Sequence, residues 1–174
     1  MDKRVFFGLW PSERQREALR DPIKAAVGGL EGDLTLRGNW HVTLVFLGAM
    51  ADARIADLAQ AASAIEVEPF RVRLDRLEYW PRPRIACLLA TSVPPALLTL
   101  QQQLETLAIT FGHAPEEHVY RPHLTVARNT RPFVSARLAQ PIMLEWSGFE
   151  LLESVSGSRG LQYSPLKQGG TDNS

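Results

Sequence analysis

His41-Val42-Thr43-Leu44 and His123-Leu124-Thr125-Val126 are one pattern, His, apolar, Thr, apolar, written twice 82 positions apart. Strand side chains alternate between faces, so the His and Thr of each copy share one face. On this reading His41, Thr43, Val45 and Leu47 lie opposite Val42, Leu44 and Phe46. Likewise His123, Thr125 and Ala127 lie opposite Leu124 and Val126. The apolar faces anchor two strands, and two imidazoles with two hydroxyls gather around one small space. In a chain with four histidines, two such tetrads arise by chance in about one sequence in a thousand.

Outward from the tetrads, the chain alternates strands and helices. Val5 to Trp10 reads as a buried first strand. Ser12 with Gln15 is a capping box that opens a helix, and Gly28-Gly29 ends it. Leu34 to Arg37 and Trp40 to Leu47 read as strands, with Gly38-Asn39 as the turn and Gly48 as the close. Asp52 is placed to cap a helix over residues 53–65, whose apolar face is Ile55, Leu58, Ala59 and Ala62. Phe70 to Trp80 and Arg84 to Thr91 alternate as two strands joined by Pro81-Arg82-Pro83. Pro94-Pro95 starts a third helix, with Leu97, Leu100, Leu104 and Leu107 inward, and Gly112 stops it. His123 to Arg128 follows as a strand. Ile142 to Ser154 and Leu161 to Leu166 read as a closing antiparallel pair.

This order predicts an α+β fold of two similar halves, each an antiparallel sheet with helices on its outer face and a cleft between them. One bilobal domain over residues 1–167 is expected, its lobes interleaved around 1–65 and 70–166. Residues 168–174 are expected to be a flexible tail.

Composition narrows the function classes. Apolar residues make up 45% and charged residues 22%, and nineteen basic residues balance nineteen acidic ones. Whole-molecule charge announces no polyanion, so a nucleic-acid ligand needs a local patch. Cys87 is the single cysteine, which excludes an internal disulfide and suits a reducing cytoplasm. The apolar run Val5 to Pro11 is too short for a membrane span or signal-peptide core. A cytoplasmic monomer with no membrane contact and no obligate protein partner is expected.

An imidazole titrates near neutral pH, so one His can act as base while another acts as acid. Splitting a phosphodiester needs that pair, and threonine hydroxyls donate to the phosphate oxygens as charge builds. A ribose 2′,3′-cyclic phosphate suits so simple a site. Guanidinium matches phosphate geometry, which makes Arg37, Arg84, Arg121 and Arg128 candidates; Arg82 reads as a solvated surface residue. Arg128 stands at an odd offset from His123, so it reaches the site only if the strand ends or bulges there. Trp40, Trp80 and Tyr120 are candidates to stack a base, and Tyr163 to line the cleft. A competing metal reading rests on His113, His118 and His123, spaced by fives around Glu116 and Glu117. No H-E-x-x-H or paired-cysteine pattern supports it, so no metal and no cofactor is expected.

The chain resembles the two-histidine phosphoesterase superfamily, and within it the bacterial RNA 2′,3′-cyclic phosphodiesterases, also called the 2′-5′ RNA ligase family. The resemblance rests on residues 4–11 (RVFFGLWP), 40–48 (WHVTLVFLG), 81–84 (PRPR), 121–128 (RPHLTVAR) and 160–163 (GLQY), in order over about residues 3 to 166. It implies a bilobal pseudo-twofold fold and metal-independent opening of a 2′,3′-cyclic phosphate to a 2′-phosphate. It assigns His41 as general acid toward the 3′-oxygen and His123 as the base that activates water. Thr43, Thr125 and Arg128 would hold the phosphate. Trp40, Arg84, Arg121 and Tyr163 stay candidates for substrate contact on the side-chain reading alone. Reversible 2′-5′ ligation of RNA ends is the implied reverse chemistry. Family members commonly carry Asn or Leu where this chain has Trp40, and an aromatic near Pro165-Leu166-Lys167.

The expected partners are RNA ends or nucleotide 2′,3′-cyclic phosphates. Two other readings stand beside this one: a phosphodiesterase acting on a small non-RNA cyclic phosphate, and a nucleotide-binding module without turnover. Intact His and Thr in both tetrads favour an enzyme.

Overall fold

The computed structural model describes residues 1–166, so the expected tail at 168–174 lies outside the described residues. β1 (Asp2–Leu9) buries Val5, Phe7 and Leu9 in the core. The capping box forms: Ser12 Oγ accepts the Gln15 N–H at 3.1 Å, and Gln15 Oε1 accepts the Ser12 N–H at 2.8 Å. It opens α1 (Glu13–Val27), which ends at Gly28. The strand expected at Leu34 to Arg37 shrinks to β2 (Asp33–Leu34). Its neighbour Arg37–Asn39 winds into a 3-10 turn closed by the Asn39 N–H on Leu36 O.

β3 (Val42–Ala51) runs through Gly48 instead of stopping there. Val5 pairs with Gly48 and Phe6 with Phe46, so Leu47 is an extra residue in a bulge beside Gly48, whose φ is +76°. Such a backbone suits glycine because other residues pay a steric cost at positive φ. α2 (Asp52–Ala62) follows at once, with Ala51 at the cap position. Asp52 therefore sits in the first turn, where its charge faces the helix N-terminus, and does not cap. β4 (Phe70–Trp80) and β5 (Ile85–Leu89) form the Pro-rich hairpin, and α3 (Pro95–Thr110) starts with proline at its first turn. β6 (His123–Arg128) carries the second tetrad. The single strand expected over Ile142 to Ser154 is two, β7 (Ala136–Trp146) and β8 (Glu150–Gly157), broken at residues 147–149. β9 (Gly160–Pro165) pairs with β8.

All pairings are antiparallel, and the path across the sheet is β7-β4-β5-β6-β3-β1-β8-β9, with β2 attached to β6. The two tetrad strands lie side by side at its centre, joined at Val42 and Leu124. Four strands flank each side of that seam in mirror order, so β5-α3-β6 is the counterpart of β1-α1-β3. The half-sheets do not follow a cut between residues 65 and 70. β8 and β9 return to the first half-sheet, because β8 completes the open edge of β1. Helices cross as well: α1 packs on β6 and β7, and α3 on β3.

Leu19 and Ile23 of α1, Leu58 of α2, and Leu97 and Leu104 of α3 pack with Phe7, Val42, Leu74, Leu88 and Leu124 in one core on one face of the sheet. Burying each such side chain contributes ~1.5–3 kcal/mol. The other face stays open along the central seam. No helix among the described residues is long and apolar enough to cross a membrane.

Candidate active site

Val42 and Leu124 are fully buried register partners, so their neighbours point the other way. Continuing the antiparallel register sets His41 beside Thr125 and Thr43 beside His123 on the open face. Both imidazoles are fixed in the same manner. His41 Nδ1 donates to Asn39 O and His123 Nδ1 donates to Arg121 O, each at 2.8 Å. A carbonyl only accepts, so Nδ1 carries the proton and Nε2 is left toward the seam. His41 Nε2 lies 3.1 Å from Thr43 Oγ1.

The residue two before each histidine also holds the aromatic ring that covers it. Asn39 Nδ2 donates to Leu161 O at 2.8 Å and Asn39 Oδ1 accepts the Tyr163 N–H at 3.1 Å. This ties β9 down, and Tyr163 packs on the His41 ring at 4.6 Å between centroids. In the other half, Arg121 pairs with Glu78 Oε2 at 2.8 Å, and the same oxygen accepts the Trp80 Nε1–H at 3.0 Å. Trp80 lies 4.4 Å from the His123 ring, and the Arg121 guanidinium stands over the Trp80 ring at 5.1 Å.

The strict alternation expected along both tetrads breaks at the same place. Gly8 pairs with Thr43 but Phe7 with Val45, so Leu44 is an extra residue. Cys87 pairs with Thr125 but Ala86 with Ala127, so Val126 is extra in the same position. An extra residue reverses the faces beyond it. Val45 and Ala127, expected on the histidine face, are core residues, and Leu47 packs against that core. Phe46 and Arg128 emerge on the histidine face in their stead. Phe46 stacks on Phe6, which touches His41. Arg128 Nη2 donates to Tyr163 Oη at 3.0 Å. The bulge that Arg128 required is thus present.

The remaining candidates divide. Trp40 is a core residue, 6% exposed, and does not offer a stacking face. It stands two before Val42, so alternation turns it inward with that valine. Arg37 is held by Glu13 and Glu17 of α1. Arg84 sits at the hairpin turn with φ +54°, and its carbonyl accepts the Thr130 N–H. Tyr120 pins the loop between α3 and β6 to β3 by donating to Thr43 O at 2.9 Å. Cys87 is buried beside Thr125 as its register partner, its thiol pushed up to about 12 by burial. Asn39, Glu78, Phe6 and Phe46 were not singled out in the sequence. A second-tetrad comparison extended to the fifth residue after each His would have pointed to Phe46.

Burial pulls His41 down to about 4, opposed by its bond to Asn39 and assisted by His123, Arg128 and Arg16. His123 is lowered too, chiefly by burial. Beside Thr43 and His123 opens a cavity of about 570 Å³, walled by Phe46, Gln101, Glu105, His113 and His118. Among the described residues, no three His, Cys, Asp or Glu side chains are placed to hold a metal ion.

A family model described as the 2′-5′ RNA ligase superfamily matches residues 12–152. An RNA 2′,3′-cyclic phosphodiesterase of Escherichia coli (strain K12) is 28% identical over 134 residues, 75% of this chain and 74% of that protein. One of Aeropyrum pernix is 29% identical over 93 residues, 52% of this chain; the match spans about half, 53%, of that relative. The crystal structure of E. coli LigT complexed with 3′-AMP shares the fold, with a TM-score of 0.83, 24% identity and coverage of 96% of this chain and 97% of that one.

Proposed function

The chain belongs to the 2′-5′ RNA ligase superfamily, and we propose that it hydrolyses the 2′,3′-cyclic phosphate of RNA ends or nucleotides to a 2′-phosphate by two-histidine acid–base catalysis. One observation carries this reading. Two imidazoles, each with Nδ1 tied to a carbonyl, face one space through Nε2, with the Arg128 guanidinium and two threonines around it. The names of the curated relatives support the same reaction.

His123 Nε2 takes a proton from water as the water oxygen attacks phosphorus. The bond from phosphorus to the 3′-oxygen breaks, and protonated His41 gives its Nε2 proton to that oxygen. The 2′-ester remains. Thr43, Thr125 and Arg128 hold the non-bridging oxygens as charge builds. Burial keeps His41 neutral in the empty site. A phosphate anion beside it favours the imidazolium, so the acid forms when substrate arrives. With a 5′-hydroxyl in place of water, the same step makes a 2′-5′ linkage. The 570 Å³ cavity beside His123 is in the size range of ligand pockets and suits the nucleoside. The enzyme acts as a cytoplasmic monomer with no cofactor, its two half-sheets working as one bilobal unit.

The test is phosphorus NMR of each nucleoside 2′,3′-cyclic monophosphate incubated with the protein in chelator. The 2′-monophosphate alone is expected. The 3′-isomer, or turnover only after a divalent cation is restored, overturns the mechanism. No turnover of any of the four overturns the nucleotide substrate.

A further inference from the structure

The sheet register runs a row of partners away from the catalytic seam across the second half-sheet. His123 pairs with Leu89, Leu89 with Arg76, and Arg76 with Arg137. Register partners share a face, so Arg76 and Arg137 stand on the open face with His123. At ~4.8 Å per strand their backbones lie ~10 and ~14 Å from it. Further along β4, Phe70, Val72 and Leu74 are core residues, which turns Arg71 and Arg73 to the open face. Arg71, Arg73 and Arg137 are exposed.

Three carboxylates stand among these four arginines. Glu78 is engaged by Arg121 and Trp80, with Arg76 3.9 Å away. Glu145 lies 3.7 Å from Arg71. Asp75 is buried and accepts Thr91 Oγ1–H at 2.6 Å, leaving Arg73 at 3.4 Å on its rim. Four guanidinium groups, Arg71, Arg73, Arg76 and Arg137, thus form a strip on a molecule whose net charge is zero.

We propose that this strip carries the backbone phosphates of the RNA strand that leads to the cyclic end, a contact surface outside the catalytic seam. This rests on the function proposed above. Guanidinium groups pair with phosphate without reading sequence. Their row starts two strands from His123, so a strand ending at the seam can run along it. The opposite half-sheet offers Phe6, Phe46 and Tyr163 around His41, so the two sides of the seam differ in chemistry.

The experiment compares wild type with the double variant Arg73→Ala/Arg137→Ala. Binding of a fluorescent single-stranded RNA with a 3′-terminal phosphate is followed by anisotropy from 50 to 200 mM salt. Affinity at 50 mM should fall by about tenfold or more, and the log–log salt slope should flatten by about 1.4 for two lost contacts. Turnover of a nucleoside 2′,3′-cyclic monophosphate should be unchanged, which also shows that the variant folds. RNA binding equal to wild type, or an equal loss on RNA and on the mononucleotide, overturns the strip. Failure of wild type to turn over the mononucleotide overturns the nucleotide substrate instead, because the binding readout does not depend on it.

Discussion

Acidification should cost this protein stability through His41, and the cost should vanish in His41→Gln. An unfolded chain leaves the imidazole near 6.5, whereas burial under Phe6 and Tyr163 holds it at about 4 in the fold. As pH falls below 6.5 the unfolded chain takes up the proton first, so the contribution is intact above 6.5 and lost on the way to 4. Each tenfold difference in proton affinity is worth about 1.4 kcal/mol, which gives about 3 kcal/mol in full and 2 to 3 kcal/mol, roughly, by pH 4.5. His123 is lowered as well and adds in the same direction in both proteins. Urea unfolding of wild type and His41→Gln at pH 7.5 and pH 4.5 isolates the His41 part, because the other titrating groups cancel in the double difference. Wild type should lose about 2 kcal/mol more than the variant. Equal acid losses would refute the claim that His41 rests neutral by burial.

Replacing His41 or His123 with Ala should lower turnover by ~10²–10⁴-fold while nucleotide affinity, measured by calorimetry, changes modestly; surviving activity in both variants would end the acid–base assignment. The pH profile of kcat/KM reports the free enzyme, so with both histidines lowered its limbs should lie on the acid side of 6.5, and a profile flat from about pH 5 to 9 would count against a titrating pair. Asn39→Ala removes the side chain that ties β9 beneath Tyr163 and should cost about 1–3 kcal/mol in urea unfolding and lower kcat. Gly8→Ala would press a methyl to 2.8 Å from Leu152 Cδ1 and 3.1 Å from Val42 O, and should cost ~1–3 kcal/mol with thermal unfolding as the check.

Much of the site could be read before any coordinates. The His-x-Thr spacing alone requires each pair to share a face, and the capping box at Ser12 and the β4–β5 hairpin follow from local chemistry. Sequence and structure part where a residue's environment comes from a distant strand. Trp40 reads as a substrate contact, yet its alternation with Val42 sends it into the core. The run Ile142 to Ser154 looked like one strand, because nothing local says that β7 belongs to β4 and β8 to β1. Asn39 looked like a turn residue; its partners on β9 stand over 120 positions away.

The sequence by itself determined the chemical kit: two imidazoles and two hydroxyls on apolar-backed strands, because side-chain alternation is a local property of the chain. Tertiary structure decided what that kit faces. Pairing to β1 and β5 inserted one extra residue after each Thr, and that single residue reversed the faces beyond it. Arg128 and Phe46 entered the site and Val45 and Ala127 left it. A bulge is a mismatch between two strands, so neither strand's sequence contains it alone.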